Sequence, residues 1–593
     1  MRWTLRAQES VSGTSSRCIA QKLADSLDLP EIVAELLAAR GIASVEEAGI
    51  FLHPSLDQLH SPMDMLGMLP AVERLERAIA QREPMLIYGD YDVDGTMATV
   101  ILKTVMELLG GRCDFHVPHR LLEGYGMRDE VIERAATEGV KLIISVDTGI
   151  RAFAAAETAE RVGVDLIVTD HHLVAQAEGV PKALAVLNPN QPDCTYPCKD
   201  LCGAGVAFKI AQALLERAGR QRLIPSFLKV VAIATIADSV PLLGENRVFV
   251  SLGLEGLRKV VNPGLNALLQ VCELNHGRAL SSTEIAFRVA PRMNAAGRMD
   301  VAKDVVELFT VKDPVRAREL AEKLNELNSA RQQEEHRISD AVLQQIEESE
   351  GLRDSACMIM DGEGWHRGVI GICASRVVER FGRPALVISR DGDVAHGSGR
   401  SIPSFHLLNA LETVPELFLR FGGHAHAVGF AMQSENIPEL RRRLNEYAKI
   451  ALAAEELQPV LEFDGELTVE QVTPRFWESL CALQPFGVGN SEPVFVARGV
   501  TLIGEPRVLR EKHLKLKLRR YVNSQAGALS RGLDALGWRM AHRLEAEPLS
   551  GGDSLDVMFR IEQNTHPDFG GGLQLVLSDF RRSAKAASAT SNS

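Results

Sequence analysis

Residues 87–99 read IYGDYDVDGTMAT and set three aspartates, Asp90, Asp92 and Asp94, within five positions immediately before Gly95. A short apolar segment precedes the aspartates, and a helix-like pattern of apolar residues follows them. Crowded carboxylates repel one another, so they are stable together only if water solvates them or a cation lies among them. The rest of the sequence has to distinguish between these two states.

Acidic and histidine residues recur at the ends of three other apolar segments. KLIISVDTG ends a predicted strand at Asp147, DLIVTDHH ends another at Asp170, His171 and His172, and the apolar helix LKVVAIATIA leads into Asp238. Because the carboxyl ends of parallel strands meet at one edge of a sheet, we expect these side chains on one rim. Oxygen ligands with one or two imidazoles suit manganese or magnesium better than zinc. The pattern therefore predicts a divalent metal site.

The acidic stretch has two other interpretations. A lone aspartate is most simply a helix cap or a solvated loop residue. The segment DYDVDG also opens like an EF-hand calcium loop, which needs a glutamate about six residues after its glycine and a helix on both sides. Ile101 occupies that position here and a strand precedes the loop, so the EF-hand is excluded.

Length and composition define the broad class of protein. The 593 residues are too many for one hydrophobic core and predict three or four domains. The net charge of −13 argues against a general nucleic-acid coat, although cations can still cluster locally. No apolar run approaches the roughly 20 residues of a membrane helix, and the first residues lack the apolar segment of a signal peptide. With nine cysteines that suit reduced thiols, we expect a cytoplasmic protein without membrane association.

The periodicity of apolar residues divides the chain into six segments. Residues 71–312 alternate strands and helices, which predicts a parallel α/β sheet, and the pattern of residues 313–350 predicts one long connecting helix. A second α/β domain is expected over 351–456, and the period of two over 457–580 predicts a small antiparallel barrel of the OB type. We expect residues 1–70 to pack on the first α/β domain and residues 581–593 to be a disordered tail.

The segment HLKLKLRR, residues 513–520, predicts an amphipathic strand of the barrel. Three leucines share one face, whereas the other face carries a row of cations. Such a row is either solvated or bound to an anion, and the basic residues close to it favour an oligonucleotide backbone as that anion. Few aromatic residues accompany it, so we expect electrostatic attraction to dominate. The predicted nucleic-acid-binding residues are Arg510, Lys512, Lys515, Lys517 and Arg519.

The chain resembles a known family over most of its length. GDYDVDG, SVDTG, TDHH and IADSVPL are similar, in order and spacing, to the four motifs of the DHH phosphoesterase superfamily. HRLLEGYGM, CGAGVAFK, PRMNAAGRM, WHRGVIGICASRVVERF, GSGRS, GGHAHAVG and QPFGVGNSEPVF extend the likeness to the RecJ family of single-strand-specific exonucleases. The resemblance implies a multidomain α/β architecture: a parallel-sheet DHH catalytic domain, a long helix, a DHH-associated domain and an OB-fold.

The resemblance also implies a catalytic centre with two divalent metal ions, manganese or magnesium. Among the catalytic residues that it implies, His172 faces the scissile phosphate, Asp90 orients the ligands, and Asp170 holds the pair of histidines. The implied metal ligands are Asp92, Asp94, Asp147, His171 and Asp238, with Asp147 bridging the two ions.

A phosphate-binding pocket is a further implication. The segment GSGRS, residues 397–401, is expected in a loop before a helix, where Ser398 and Arg400 could hold a terminal phosphate. From the residues alone a flexible turn is the simpler interpretation, and His424 in GGHAHAVGF fits tight glycine packing equally well. The resemblance implies that Arg120 joins Ser398 and Arg400 on the 5′-phosphate. The remaining substrate-binding residues that it implies are Asn294, Arg298 and His424.

Cys194, Cys198 and Cys202 are spaced by four residues. Metal sites usually contain C-x-x-C pairs, and no fourth ligand is evident nearby. We expect no metal at these cysteines.

Taken together, the resemblance implies a metal-dependent 5′→3′ exonuclease that releases 5′-mononucleotides from single-stranded DNA in repair and recombination. The implied partners are single-stranded DNA, a helicase and a single-stranded-DNA-binding protein, and the implied state is a monomer. One alternative is a DHH phosphodiesterase acting on short oligonucleotides or cyclic dinucleotides, which the C-terminal barrel disfavours. Another is a non-catalytic DNA-binding scaffold, but such relatives lose acidic motif residues that this chain retains.

Overall fold

The computed structural model describes residues 2–6, 16–120, 122–124, 126–175, 178–274, 277–300, 302–452, 460–520, 532–564 and 571–583. These residues form two compact units. One unit joins the described parts of Met1–Pro54 to Val460–Phe486 and to the described parts of the chain from Asn490 onward, and the other comprises the described parts of Ser55–Pro459 with Gly487–Gly489. Among the described helices, none is long and apolar enough to cross a membrane.

The N-terminal segment packs with the C-terminal barrel. It contains β1 (Arg2–Leu5), α1 (Ser16–Leu27), α2 (Glu31–Ala39) and α3 (Val45–Leu52). The buried side chains of Leu23 and Leu37 belong to the same hydrophobic cluster as Phe495 and Phe559 of the barrel. Our expectation that residues 1–70 pack on the first α/β domain is therefore wrong for this segment, because its apolar helix faces are buried against barrel residues more than 400 positions away.

The first α/β domain has a parallel sheet, as predicted. Its elements are α4 (Met68–Gln81), β2 (Pro84–Tyr88), α5 (Val93–Leu108), β3 (Arg112–His116), α6 (Asp129–Thr137), β4 (Leu142–Val146), α7 (Phe153–Val162), β5 (Asp165–Thr169), β6 (Ala185–Leu187), α8 (Gly203–Arg217), α9 (Ile224–Ala237), α10 (Gly244–Gly256), α11 (Pro263–Val271), α12 (Ser282–Glu284), α13 (Ala290–Met299) and α14 (Lys303–Thr310). The strand order is β3-β2-β4-β5-β6, and all four pairings are parallel. Helices cover both faces of such a sheet, which explains why its strands are continuous apolar runs.

A buried ion pair anchors α8, the helix whose first residues contact the acidic loop. Lys209 Nζ lies 2.9 Å from Glu245 Oε1 and donates to the carbonyl of His60 at 2.7 Å. Tyr196 donates its hydroxyl to Glu245 Oε2 at 2.5 Å. Neither charged side chain is exposed, so each charge depends on the other and on these hydrogen bonds.

The predicted connecting helix is α15 (Pro314–Glu348), which begins at Asp313 as its N-cap. Leu320 and Leu324 in its first half belong to the core of the first α/β domain. Val342 and Ile346 in its second half belong to a core of the domain that follows. The helix is therefore a packed part of both domains.

The second α/β domain contains a mixed sheet. Its elements are α16 (Glu350–Arg353), β7 (Met358–Glu363), α17 (Ile370–Phe381), β8 (Ala385–Asp391), β9 (Val394–Arg400), α18 (Leu407–Glu412), β10 (Phe418–Gly423), β11 (Ala427–Gln433) and α19 (Ile437–Ala451). The strand order is β10-β11-β9-β8-β7, with only β7 and β8 parallel.

The GSGRS segment is not the loop that we expected, because residues 397–400 lie in β9. Gly397 and Gly399 face the core, where a Cβ on Gly397 would lie 2.0 Å from the ring of Phe430. These glycines are thus required for close packing inside a sheet, and Ser398 and Arg400 point to the opposite face.

The C-terminal domain is a closed barrel. Its elements are β12 (Val460–Phe463), β13 (Gly465–Glu466), α20 (Pro474–Cys481), β14 (Phe495–Leu502), β15 (Arg507–Leu509), β16 (His513–Arg520), β17 (Leu533–Gly537), α21 (Arg543–Ala546), β18 (Ser554–Asn564) and β19 (Gly572–Arg582). Pairing of β14 with both β18 and β16 closes a five-stranded ring with β19 and β17, which confirms the predicted OB-type barrel. The barrel is not wholly antiparallel as expected, because β17 and β19 run parallel. The expected tail begins within β19, and its residues 584–593 lie outside the described residues.

We predict that Lys209→Met lowers the free energy of unfolding by about 3–5 kcal/mol, because it leaves the Glu245 carboxylate buried without its counter-charge. Urea denaturation of the full chain measures the change. Arg217→Met on the same helix is the matched control, since Arg217 pairs with Glu76 in solvent and its loss should change stability little. A Lys209→Met protein as stable as the control would contradict the role given to the buried pair.

Candidate functional site

The acidic loop after β2 folds back on itself as α5 begins. Asp92 is the N-cap of α5, and its Oδ1 accepts a hydrogen bond from the Gly95 amide at 3.0 Å. A Cβ on Gly95 would lie 2.7 Å from the backbone nitrogen and oxygen of Asp90, so glycine is required for this close approach. The turn therefore brings Asp90, Asp92 and Asp94 to one side of the sheet edge.

The N-terminus of α8 holds Asp94. The amides of Gly203 and Ala204 donate to its two carboxylate oxygens at 2.5 and 2.8 Å. Free amides and the helix dipole at this end both favour a negative charge. A Cβ on Gly203 would lie 2.6 Å from Cβ of Asp147, so this glycine also allows α8 to approach the end of β4.

Asp147 follows β4 with a positive φ of 58°, an uncommon conformation for a residue other than glycine. His171 Nε2 lies 3.2 Å from Asp147 Oδ1, 3.8 Å from Asp94 Oδ2 and 3.7 Å from Asp238 Oδ2. The contact with Asp147 does not have hydrogen-bond geometry. Among the described residues, one buried oxygen of Asp147 and one of Asp90 have no hydrogen-bond partner.

Asp170 orients the two histidines and is itself fully engaged. Its Oδ1 accepts from the amides of His171 and His172 at 2.8 and 3.2 Å and lies 2.7 Å from His172 Nδ1. Its Oδ2 accepts from the amide of Ile150 at 2.9 Å.

Two asparagines that sequence reasoning missed also hold the histidine segment. Asn188 Nδ2 donates to the carbonyl of His172 at 2.9 Å, and Asn190 Nδ2 donates to the carbonyl of His171 at 2.7 Å. They belong to the segment NPN directly after β6, and this position at the same sheet edge was the available signal.

The side chains assemble into three groups whose ligand atoms lie within 4.8 Å of one another. These groups are Asp90, Asp92 and Asp147; Asp94, His171 and Asp238; and Asp147, His171 and His172. The first two groups contain all five predicted metal ligands. They also include Asp90, which the sequence analysis assigned to orienting the ligands.

Burial and mutual repulsion act strongly on four of these carboxyl groups. Burial, then the charge of Asp92, raises the pKa of Asp90 to about 8, and burial, then Asp94, raises that of Asp238 to about 9. Burial and then Asp94 also raise the pKa values of Asp92 and Asp147, the latter well above its usual range. The oxygen-rich groups and the two buried oxygens without partners therefore fit divalent cations, whose charge would offset the repulsion.

The two histidines differ in their electrostatic surroundings. Burial lowers the pKa of His171, although the charge of Asp94 partly opposes this, so the ring stays neutral as a metal ligand must be. Burial also acts to lower the pKa of His172, but the hydrogen bond and charge of Asp170 outweigh it and raise the pKa. His172 is therefore the better candidate for donating a proton or hydrogen bond.

A group of arginines lies in the same unit. Arg400 donates to Ser398 Oγ at 3.1 Å, and a Cβ on Gly371, near the start of α17, would lie 2.9 Å from that oxygen. Burial, then repulsion from Arg120, lowers the pKa values of both Arg400 and Arg298, the latter to about 10. Three guanidinium groups close enough to repel one another form a ready site for an anion.

The other predicted substrate-binding residues have different surroundings. Arg120 lies over the ring of Tyr91, at 5.0 Å from its centroid. Asn294 precedes Arg298 by one turn of α13. His424 is exposed in the turn between β10 and β11, three residues before the position that pairs with Arg400.

The barrel carries the predicted cationic strand. In β16 the leucines 514, 516 and 518 are buried, and the alternate residues face outward. Lys515 forms an ion pair with Asp534 at 2.8 Å, so one cation of the row is already matched. Lys517 is exposed, Arg519 is partly exposed, and Arg510 and Lys512 are exposed in the turn before β16.

The cysteines take no part in these groups. All nine are free thiols, and none of the candidate ligand clusters found among the described residues contains Cys194, Cys198 or Cys202. Burial raises the pKa values of Cys198 and Cys202, which disfavours the thiolate form that binds metals.

Comparison with known proteins identifies the domains and the family. Three family profiles match: the DHH family, N-terminal domain, at residues 84–235, the DHHA1 domain at 354–450 and the RecJ OB domain at 463–579. The chain is 37% identical over 522 residues to the single-stranded-DNA-specific exonuclease RecJ of Bacillus subtilis, covering 88% of this chain but only 64% of that protein. It is 36% identical over 567 residues to the enzyme of that name from Dickeya dadantii, covering 92% of each.

A solved structure gives the same result for the fold. The crystal structure of RecJ from Thermus thermophilus in complex with Mn²⁺ has a TM-score of 0.81 and 27% identity, covering 98% of this chain and 80% of that one. A structure of the same protein with Mg²⁺ has a TM-score of 0.76 and 26% identity, covering 99% and 79%. With this fold, the three domain matches and 36% identity across nearly all of the Dickeya relative, the chain belongs to the RecJ family.

Proposed function

We propose that the protein is a metal-dependent 5′→3′ exonuclease that degrades single-stranded DNA to 5′-mononucleotides in repair and recombination. The observation that carries this proposal is the pair of adjacent ligand groups, Asp90, Asp92 and Asp147 beside Asp94, His171 and Asp238. Two neighbouring groups of this composition suit two divalent ions, manganese or magnesium. Asp147 belongs to the first group and lies 3.2 Å from His171 of the second, so it would serve as a ligand to both ions. When bound, such ions lower the pKa of a coordinated water and offset charge on the attacked phosphate.

The residues around the metal groups would orient the phosphodiester. His172 is held by Asp170 and favours its protonated form, so it can donate a hydrogen bond to an oxygen of the scissile phosphate. Asp170 acts through His172, and both of its oxygens accept hydrogen bonds from the protein, which makes it a positioning residue.

The direction of degradation requires a group that recognises one end of the strand. A terminal 5′-phosphate carries more negative charge and more free oxygens than an internal diester. Arg120, Ser398 and Arg400 would bind it. Arg298 would add a further cation, and Asn294 and His424 would contact the first nucleotide.

The barrel would bind the strand through its sugar-phosphate backbone. Lys517 and Arg519 on β16, with Arg510 and Lys512 in the preceding turn, are suited to the phosphate backbone without regard to base sequence. Lys515 would contribute less, because Asp534 already neutralises it.

The alternatives and partners follow from the same features. A scaffold without catalysis would not need the crowded acidic groups, and an enzyme for cyclic dinucleotides or short oligonucleotides would not need the cationic barrel strand.

Because the enzyme consumes single strands, we further propose that a helicase and a single-stranded-DNA-binding protein supply them in the cytoplasm. Since one chain provides both the ligand groups and the cationic strand, we propose a monomer, which light scattering tests.

We predict that Asp147→Asn abolishes cleavage and also removes the rise in melting temperature that Mn²⁺ causes in the unchanged protein. Asparagine has nearly the same shape and tolerates the positive φ at this position, so the fold is kept. Thermal melting with and without Mn²⁺, and release of nucleotides from labelled single strands, measure the two effects. Glu130→Gln, an exposed carboxylate of the same domain, is the control. Substantial cleavage by a folded Asp147→Asn protein would exclude the two-metal proposal.

We predict that Arg400→Ala lowers kcat/KM on 5′-phosphorylated single strands by about thirtyfold, roughly 2 kcal/mol, through loss of a charge-assisted hydrogen bond. Substrates with a 5′-hydroxyl should be nearly unaffected. Arg367→Ala is the matched control, because this exposed arginine of the same domain pairs with Asp391. Equal losses on both substrates would mean that Arg400 serves the chain backbone or the fold.

We predict that Lys517→Ala combined with Arg519→Ala makes single-strand affinity less dependent on salt, lowering the slope of log K against log salt by roughly 0.7 for each lost phosphate contact. Substitution is preferable to a protein that ends before the barrel, because removing the barrel would expose the apolar faces of the N-terminal helices. Arg498→Ala, which removes an exposed arginine paired with Glu466 on the same barrel, is the control. An unchanged slope in the double variant would mean that the cationic face is only solvated.

A further inference from the structure

One aromatic side chain of the barrel is unusually open to solvent. Trp538 is 55% exposed, whereas Trp365 is buried. Trp3 lies beneath Arg581 and donates its indole N–H to Asp579, and Trp477 packs on the hydrophobic cluster of its unit. A single exposed apolar residue needs no explanation by itself, so its surroundings decide what it can do.

The turn that carries Trp538 is fixed at several points. Trp538 follows β17, and the next residue, Arg539, has a positive φ of 57°. The Arg539 amide donates to His513 Nδ1 at 3.0 Å, and the Ala541 amide donates to the carbonyl of Lys512 at 3.2 Å. The indole is thereby held beside the start of β16 and the turn that precedes it.

The ring of His513 contacts the indole, with centroids 4.8 Å apart and planes at 80°. An edge-to-face neighbour of this kind covers at most one face of the indole. With half of the side chain exposed, a flat aromatic surface remains available for stacking.

The charges next to Trp538 indicate the chemistry of its ligand. His513 is the first residue of the outward face of β16, and Lys515, Lys517 and Arg519 follow on the same face at intervals of about 6.8 Å. An open indole at the end of a row of cations offers a planar apolar contact and anion contacts together. Unpaired nucleic acid presents both groups in the same way.

We propose that Trp538 is a stacking platform for one unpaired base of single-stranded DNA, whose backbone phosphates follow the outward face of β16. This inference rests on the proposed function and adds a base contact to a surface that the sequence analysis treated as electrostatic. A base inside a duplex cannot reach the indole, so the contact favours single strands over duplexes at the barrel as well.

Affinity measurements with the full chain in a chelator, where the DNA is not degraded, test the proposal. We expect Trp538→Ala to bind a long oligothymidylate roughly tenfold more weakly, and Trp538→Phe to restore most of the affinity. The slope of log K against log salt should be the same in both variants as in the unchanged protein, because stacking releases no counterions. Leu5→Ala, which removes another exposed apolar side chain of the same unit, should bind as the unchanged protein does.

Fluorescence and modified DNA supply the second readout. Oligothymidylate should quench the tryptophan emission of the unchanged protein but have little effect on that of Trp538→Phe. An oligonucleotide made wholly of abasic residues should bind the unchanged protein and Trp538→Ala equally, since it has no base to stack. Unaltered affinity in Trp538→Ala, or quenching retained in Trp538→Phe, would overturn the proposal and favour a protein partner at this turn.

These results separate the inference from the proposed function. If the unchanged protein binds and degrades single strands while Trp538→Ala matches it, only the stacking contact fails. If the unchanged protein neither binds nor degrades single strands, the proposed function fails first.

Discussion

Repulsion among buried carboxylates is the constraint on which the catalytic domain depends. Asp90, Asp94 and Asp147 are almost completely buried at one sheet edge. Burial and the charge of Asp92 make the ionisation of Asp90 harder, and burial and the charge of Asp94 do the same for Asp147. Gly95 and Gly203 allow backbone approaches that any side chain would block. The chain thus accepts an electrostatic cost at this edge, and the positive charge of bound cations offsets it.

Partly buried arginines of the same unit repel one another, as the buried aspartates do. Arg298 and Arg400 are held close enough for their charges to disfavour one another, as the aspartates are. The aspartates suit divalent cations, which would bind one phosphate of a substrate, and the arginines would bind another phosphate directly. The long helix α15 packs into the core of the catalytic domain with one half and into a core of the second domain with the other, so it ties the two domains together.

Local patterns in the sequence were sufficient to predict the parallel sheet, the convergence of the aspartates at its edge, and the alternation of apolar and cationic residues along β16. Each depends on the period of a strand or on the shared edge of a parallel sheet. The GSGRS segment was misjudged because glycine signals a turn locally, whereas Gly397 is required by the ring of Phe430, 33 residues further along. The sequence alone could not predict the role of Trp538, because its neighbour His513 lies on another strand. It could not predict the partner of the N-terminal helices either, because the barrel residues that they contact are more than 400 positions away. Contacts of that range leave no periodic trace in a sequence.

The pairing of the N-terminal segment with the barrel has a consequence for biosynthesis. β1 pairs with β12, and the apolar faces of α1 and α2 are completed by strands that follow more than 400 residues later. At about 5–20 residues per second, a ribosome needs roughly 20–90 s to reach those strands. During that interval the helices can pack only on one another, and the barrel side chains that complete their hydrophobic cluster are missing. The nascent chain therefore presents exposed apolar helix faces while those 400 residues are translated, and chaperones that bind such surfaces can act there.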